Sequence, residues 1–208
     1  MLNSTQTIID AFELYTGNSL SISTSQELEL AQKIYDQVLE EFEPEFLKRT
    51  LSGTLPTTQD YVAQPADFNR LTEKRLMYVA PDLSRQKGDE YYVVPFEDRR
   101  MYVNQKGYLY YDARQGRFIF TKQPDDAKEY EMDYIYVPPA LDLTSSNPLF
   151  PIRYYPVIYH GMLINNDIIE MSEKARAYTQ ENTDQYTAWL NRLKDWNSRQ
   201  TNLLTVGI

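Results

Sequence analysis

The 208-residue chain contains no cysteine and a single histidine. Without thiols it has no disulfide framework, no thiolate metal site and no cysteine nucleophile. One histidine is too few for a His-rich zinc site, and a Ser-His-Asp triad would have to use His160. His160 stands beside Gly161 in an apolar stretch that reads as helix, so a packed imidazole with a satisfied partner is expected there. Glycine is scarce, 7 residues scattered singly, which leaves no phosphate loop and no dinucleotide fingerprint. No apolar run approaches the roughly 18 to 20 residues that cross a bilayer. The first fifteen residues also lack the basic start and apolar block of a signal peptide. These absences lead to the expectation of an intracellular or particle-borne protein without a membrane partner.

Basic residues are also in short supply: 21 Lys and Arg face 30 Asp and Glu, a net charge of −9. Residues 1–49 hold 9 acids and 3 bases, residues 50–169 hold 16 and 13, and residues 170–208 are balanced. A tight duplex binder neutralises phosphates with clustered Lys and Arg, so sequence-specific DNA binding is not expected. Arg99, Arg100, Arg114 and Arg117 lie near tyrosines, which allows stacking on a single strand or pairing with carboxylates across an oligomer interface. The charge balance favours the interface. The acids Asp125, Asp126, Glu129, Glu131 and Asp133 lack the spacing and loop glycine of an EF-hand and read as a polar turn and the wet side of a strand. A carboxylate pair of glycosidase type is an unspecific signal among thirty acids. No catalytic residue, metal or cofactor is expected.

Tyrosine is plentiful: 18 residues, of which 13 fall between Tyr78 and Tyr159. A buried tyrosine hides a large ring but keeps a hydroxyl that needs a partner, which suits half-wet sheet faces and subunit interfaces. Helical patterns flank this stretch. Ile8, Ile9, Phe12 and Tyr15 predict a short helix over 5–15 with Ser4 as cap. Leu28, Ala31, Ile34, Tyr35, Val38, Leu39 and Phe42 predict a second from about Ser25, its acids Glu27, Glu29, Asp36, Glu40, Glu41 and Glu43 largely on the solvated side, with Pro44 limiting it.

From Thr50 onward short extended pieces are expected: strands over 74–79 and 91–94, a short helix over 96–103, and a hairpin of 108–112 with 117–121. Tyr130, Met132, Tyr134 and Tyr136, at period two, read as the third strand of a meander. Pro151 is expected to open a helix running to about Asn165. A last helix, over 172–199, carries Ala175, Tyr178, Asn182, Tyr186, Trp189, Leu193 and Trp196, with Ser172 or Asp167 as cap. The apolar end, including Leu203, Leu204, Val206 and Ile208, has no helical pattern and must fold back or meet a partner.

The expected fold class is α+β: a mainly helical antiparallel bundle with a small antiparallel sheet inserted between its N-terminal and C-terminal helices. Within a single domain over 1–208, the N-terminal helices occupy 1–49, the β-rich insertion 50–148, the C-terminal helices 149–200 and the apolar tail 201–208.

The order of these pieces carries a resemblance. Tyr61-Val62-Ala63-Gln64-Pro65-Ala66-Asp67-Phe68 leads into a strand, followed by the 108–120 hairpin, the Tyr130 to Pro138 strand end with Leu141 after it, and the two terminal helices. Over about residues 11–200 this order resembles the head-to-tail adaptor family of tailed bacteriophages, also called head-completion or connector proteins. The resemblance implies a non-enzymatic virion protein of the neck, assembled in the host cytoplasm. It would form a ring, usually of twelve, beneath the portal after DNA packaging, extending the DNA channel and presenting the tail's attachment surface. Its partners would be the portal protein, tail or neck proteins, further copies of itself, and double-stranded DNA that passes without specific binding. The C-terminal segment commonly reaches the portal in that family, which would give Leu203, Leu204, Val206 and Ile208 a docking role. Tyr108, Tyr110, Tyr111, Arg114, Arg117, Arg99 and Arg100 would face neighbouring subunits or the tail. The competing readings are another neck protein, such as a stopper or tail-completion subunit, and a carboxylate-dependent hydrolase.

Overall fold

The computed structural model describes residues 4–17, 20–124, 128–144 and 146–205. The chain divides into two compact units: residues 1–46 with 138–208, and residues 47–137. The sequence reading placed the β-rich insertion at 50–148 of one domain; the observed boundaries are 47 and 137.

In the helical unit, helix α1 (Ser4–Thr16) buries Ile8, Ile9 and Phe12 completely, as their spacing predicts, while Tyr15 stays largely exposed. Helix α2 (Thr24–Glu40) begins at a capping box: the Ser23 hydroxyl accepts from the Gln26 amide and the Gln26 side chain accepts from the Ser23 amide. It buries Ala31, Ile34, Tyr35, Val38 and Leu39. Glu27, expected on the solvated side, is buried too, because positions 27, 31, 34 and 38 share one face of a 3.6-residue helix.

The single helix expected over 151–165 is broken. Pro151 leads into a 3₁₀ turn (Ile152–Tyr154), and Pro156 starts helix α3 (Pro156–Leu163). Ile152 is consequently exposed. Helix α3 buries Val157, Ile158, His160, Gly161, Met162 and Leu163 and touches α1 and α2. Helix α4 (Asn166–Met171), a separate element that the sequence did not predict, is capped by Asn165. Helix α5 (Glu173–Ala177) starts at Ser172, whose hydroxyl accepts from the Ala175 amide and which is one of the two caps expected for the last helix. The backbone turns at Tyr178, which leaves that ring exposed. Helix α6 (Thr179–Thr205) then packs on α3. Its Asn197 is buried, accepting from the Glu45 amide at 2.8 Å and donating to the Glu43 carbonyl at 2.8 Å. Removing that side chain deletes two hydrogen bonds to the backbone, each worth ~0.5–1.5 kcal/mol. Asn197→Ala is therefore expected to lower the midpoint of the helical far-UV circular dichroism melt by several degrees. An unchanged midpoint would show that water satisfies both groups.

The sheet unit is larger than the small antiparallel sheet expected. Its eight strands are β1 (Lys48–Leu55), β2 (Tyr61–Ala63), β3 (Phe68–Leu71), β4 (Leu76–Ala80), β5 (Asp89–Val94), β6 (Tyr108–Asp112), β7 (Arg117–Phe120) and β8 (Lys128–Tyr136). They run in the order β1-β8-β4-β5-β6-β7-β2, with β3 also paired to β8. The 108–121 hairpin forms as expected, with Gly116 at φ 61° in its turn. Two features depart from the meander. β8 does not follow β7 in the sheet but lies between β1 and β4, pairing with both and with β3, and β5 pairs with β6 in parallel. The parallel pair follows from the crossover over 95–107, which contains a 3₁₀ helix (Phe96–Tyr102) where a short helix was expected. Glu131 and Asp133 form the wet side of β8, whereas Asp125 and Asp126 of the expected polar turn lie outside the described residues.

Leu55 of β1 and Val62 of β2, from the two ends of the strand order, share one core with Met77, Tyr91, Leu109, Phe118 and Met132, so the sheet curls toward a barrel. The Asp67-Phe68 step helps close it. Asp67 pairs with Arg49 and accepts from the Tyr134 hydroxyl at 2.9 Å, while the Arg49 guanidinium lies 4.0 Å above the Tyr136 ring. Phe68 packs its ring against Tyr111, Phe118 and Tyr134.

Candidate assembly surfaces

Side chains alternate across a strand, so β6 divides its tyrosines. Leu109 and Tyr111 belong to the core side, while Tyr108 and Tyr110 point the other way. Tyr111 packs at 4.9 Å on Phe118 and 5.3 Å on Phe68, and donates to the Gln64 side-chain oxygen. Burial pushes its hydroxyl pKa up. Tyr111 thus packs toward the sheet's core, whereas Tyr108 and Tyr110 lie on the opposite side.

On the outward side, the parallel register sets Tyr92 beside Tyr108 and Val94 beside Tyr110. The Phe96–Tyr102 3₁₀ helix lies against these rings, Phe96 edge-on to Tyr110 at 5.8 Å and Tyr102 on Tyr108 at 4.5 Å. The Arg99 guanidinium sits 3.7 Å above Phe96 and donates to the Phe96 carbonyl. The Tyr92 hydroxyl donates to Glu90 at 2.8 Å, which holds the Glu90 carboxyl below its ordinary range and the Tyr92 hydroxyl above its own. Arg117 lies 4.0 Å above Tyr61 of β2, and Arg114 projects from the hairpin turn, where the Asp112 carboxylate accepts from its amide. The structure therefore gathers Tyr108, Tyr110, Arg99 and Arg100 around one 3₁₀ helix, places Arg114 and Arg117 at the hairpin, and turns Tyr111 inward.

Sequence reading missed the most exposed members of this surface: Met101 is 63% exposed, Val103 58%, Tyr92 49% and Phe96 37%. Their signal was an apolar residue at each end of an acidic and then basic run, Phe96-Glu97-Asp98-Arg99-Arg100-Met101.

A second surface lies in the helical unit: a groove of about 570 Å³ lined by Leu14 and Tyr15 of α1, Tyr159 and His160 of α3, Lys174 of α5, Tyr178, and Glu181, Asn182, Gln185 and Trp189 of α6. Tyr15 stacks on Tyr159 at 5.6 Å, and Tyr159 lies against His160 at 4.6 Å. His160 Nδ1 donates to Asn182 Oδ1 at 3.1 Å, and burial lowers the imidazole pKa, so the ring is a neutral packing group with its partner in place. Burial pushes the hydroxyl pKa values of Tyr159 and of Tyr186 on α6 up.

The C-terminal candidates fall at the limit of the described residues. The backbone of Leu203 and Leu204 is helical, since α6 continues to Thr205 instead of ending near Arg199; Val206 and Ile208 lie outside the described residues. Among the described residues, no helix is long and apolar enough to cross a membrane. A family model described as SU10 adaptor protein matches residues 4–206. No curated protein matches the chain.

Proposed function

Since this chain belongs to the SU10 adaptor protein family, a structural component of the phage head-to-tail junction and not an enzyme, we propose that it assembles as a ring on the portal after DNA packaging. There it extends the DNA channel and offers the tail its attachment surface in the virion neck. The family match over almost the whole chain carries this reading. Two physical features support it. An exposed aromatic and arginine surface on the sheet unit has the composition of interface cores. The net charge of −9 per chain builds, in a ring, a field that does not hold passing phosphates.

The C-terminal end, from Leu203 and Leu204 through Val206 to Ile208, is the portal contact in this reading. Purified protein is expected to be a monomer or mixed oligomer and to form a ring when portal is added, as read by co-sedimentation and by electron-microscope averages. Deleting 202–208 removes little more than the last turn of α6. It is expected to leave the helical circular dichroism intact while weakening portal binding at least about tenfold, the effect of losing a buried apolar anchor. Retained binding would move the contact elsewhere, and loss of the fold would make the segment part of the core.

A further inference from the structure

We propose that the outer edge of β1 receives an extended, uncharged strand of a tail protein, which adds one strand to the sheet. The inference rests on the adaptor reading above and names how the tail is held.

β1 stands at one end of the strand order, and its eight residues pair with β8, from Lys48 opposite Ile135 to Leu55 opposite Lys128, without a bulge. In an antiparallel pair every second residue turns its N–H and C=O away from the partner strand. Among the described residues, β8 is the only strand bonded to the backbone of residues 49–55, and no loop backbone bonds to it. That backbone is open to solvent. Gly53 is exposed, and since a glycine has no side chain, what it exposes is main chain.

Sheet edges are normally blunted by charge, proline, a bulge or short length. Between Thr50 and Leu55 β1 has none of these: Pro56 comes only after it, and no charged residue stands between Arg49 and Asp60. The other end of the sheet is protected, because β2 is three residues long and lies between Asp60 and Pro65. One edge of the same sheet is therefore closed to pairing and the other is left as a template.

A row of main-chain donors and acceptors is matched along its length by another extended chain, with the alternate side chains setting specificity. A second copy does not supply it. A neighbour's β2 covers at most three of the eight residues, and two β1 strands paired with each other use up both edges and stop at a dimer. The side chains of β1 give the chemistry of the occupant. A Cβ on Gly53 would lie 2.7 Å from the Tyr130 hydroxyl oxygen, so that ring reaches from β8 across β1 and presents its hydroxyl on one face. The other face carries Thr50, Ser52 and Thr54. Hydroxyl and β-branched side chains on the incoming strand suit both faces.

Full-length protein is assembled on portal and then given purified tails of the same phage, with amide hydrogen exchange followed before and after. The outward amides within 50–55 are expected to exchange freely in the ring and to slow at least about tenfold once tails attach. Ser52→Lys combined with Thr54→Lys, which blunts the edge, is expected to form normal rings, to melt as wild type because both residues are exposed, and to bind tails at least about tenfold more weakly. Tails that attach without slowing exchange at 50–55 overturn the proposal, as does normal tail binding by the double variant. Slowing that appears on ring formation, before tails are added, assigns the edge to a second copy and overturns it too. If the double variant does not fold, the wild-type exchange decides alone. Wild-type protein that forms no ring on the portal overturns the adaptor reading and the strand addition with it, a result told apart from the others because it appears before any tail is added.

Discussion

Gly161→Ala is expected to destabilise the helical unit by about 1–3 kcal/mol, the usual cost of forcing a methyl into a packed core. A Cβ at position 161 would lie 2.5 Å from Ile34 Cγ2 and 3.2 Å from Tyr186 Cε2. The closer neighbour does not retreat easily. The Ile34 methyl is fixed by its β-branch within α2, whereas the Tyr186 ring borders a cavity of about 290 Å³ and has room to yield. Alanine favours helix over glycine by ~1 kcal/mol, but at this site the steric term dominates, because α3 is buried on nearly every side. Gly161→Val adds two more methyls and should cost more. The measurement is the helical melt of each variant with a double-mutant cycle against Ile34→Ala. The cycle should show favourable coupling, since removing the Ile34 methyl opens the space that the new alanine methyl needs. A Gly161→Ala protein that melts at or above the wild-type temperature would refute the close packing of α2, α3 and α6.

Local signals carried the reading of the helices. The Ile8-Ile9-Phe12 step and the Ala31 to Leu39 stripe are properties of a single segment, and both bury as their spacing implies. The alternation of Met132 and Tyr134 with exposed Glu131 and Asp133 was also legible. Its partners were not, because period two specifies a buried side but not which strand lies alongside. β8 therefore looked like the sequel of the hairpin, although it is paired with three strands that precede it in sequence. β1 was hidden for a related reason: Arg49, Thr50, Ser52 and Thr54 are exposed, and Gly53 lies beneath the Tyr130 ring, so its apolar side reduces to Leu51 and Leu55. The break before α3 was legible at Pro156, which cannot continue a helix that begins at Pro151. The interruption at Tyr178 has no such residue to mark it, and it is what exposes the Tyr178 ring at the groove. At the assembly surfaces, composition located Tyr108, Tyr110 and the arginines. The exposure of Met101 and Phe96 depends on how the 3₁₀ helix lies on the sheet, which no single segment encodes.

Glu27 should make the helical unit more stable in mild acid than at alkaline pH, by about 3 kcal/mol at this one site. It is 5% exposed, in the first turn of α2, where the helix dipole would favour a carboxylate. Burial outweighs that, and the charge of Glu13 on α1 and a hydrogen bond shared with it act in the same direction, so the Glu27 carboxyl is pushed up to about 7 from an ordinary 4.5. An acid raised on folding keeps its proton in the folded state while the unfolded chain has released it. Its contribution is fully present below about pH 4.5 and declines as pH rises, at up to 1.36 kcal/mol per unit. It is gone above about pH 7. Other carboxylates titrate in the same range, so the readout is the difference between wild type and Glu27→Gln, which cannot ionise at this position. Urea unfolding followed at the helical signal is expected to give nearly equal stabilities at pH 4.5, with the Glu27→Gln variant ahead by about 2–3 kcal/mol at pH 8. Glu13→Gln should move wild type part of the way, since it removes the second and third causes of the shift but not burial. A difference that stays constant from pH 4.5 to 8 would show that Glu27 ionises normally and that the α1–α2 contact does not depend on its proton.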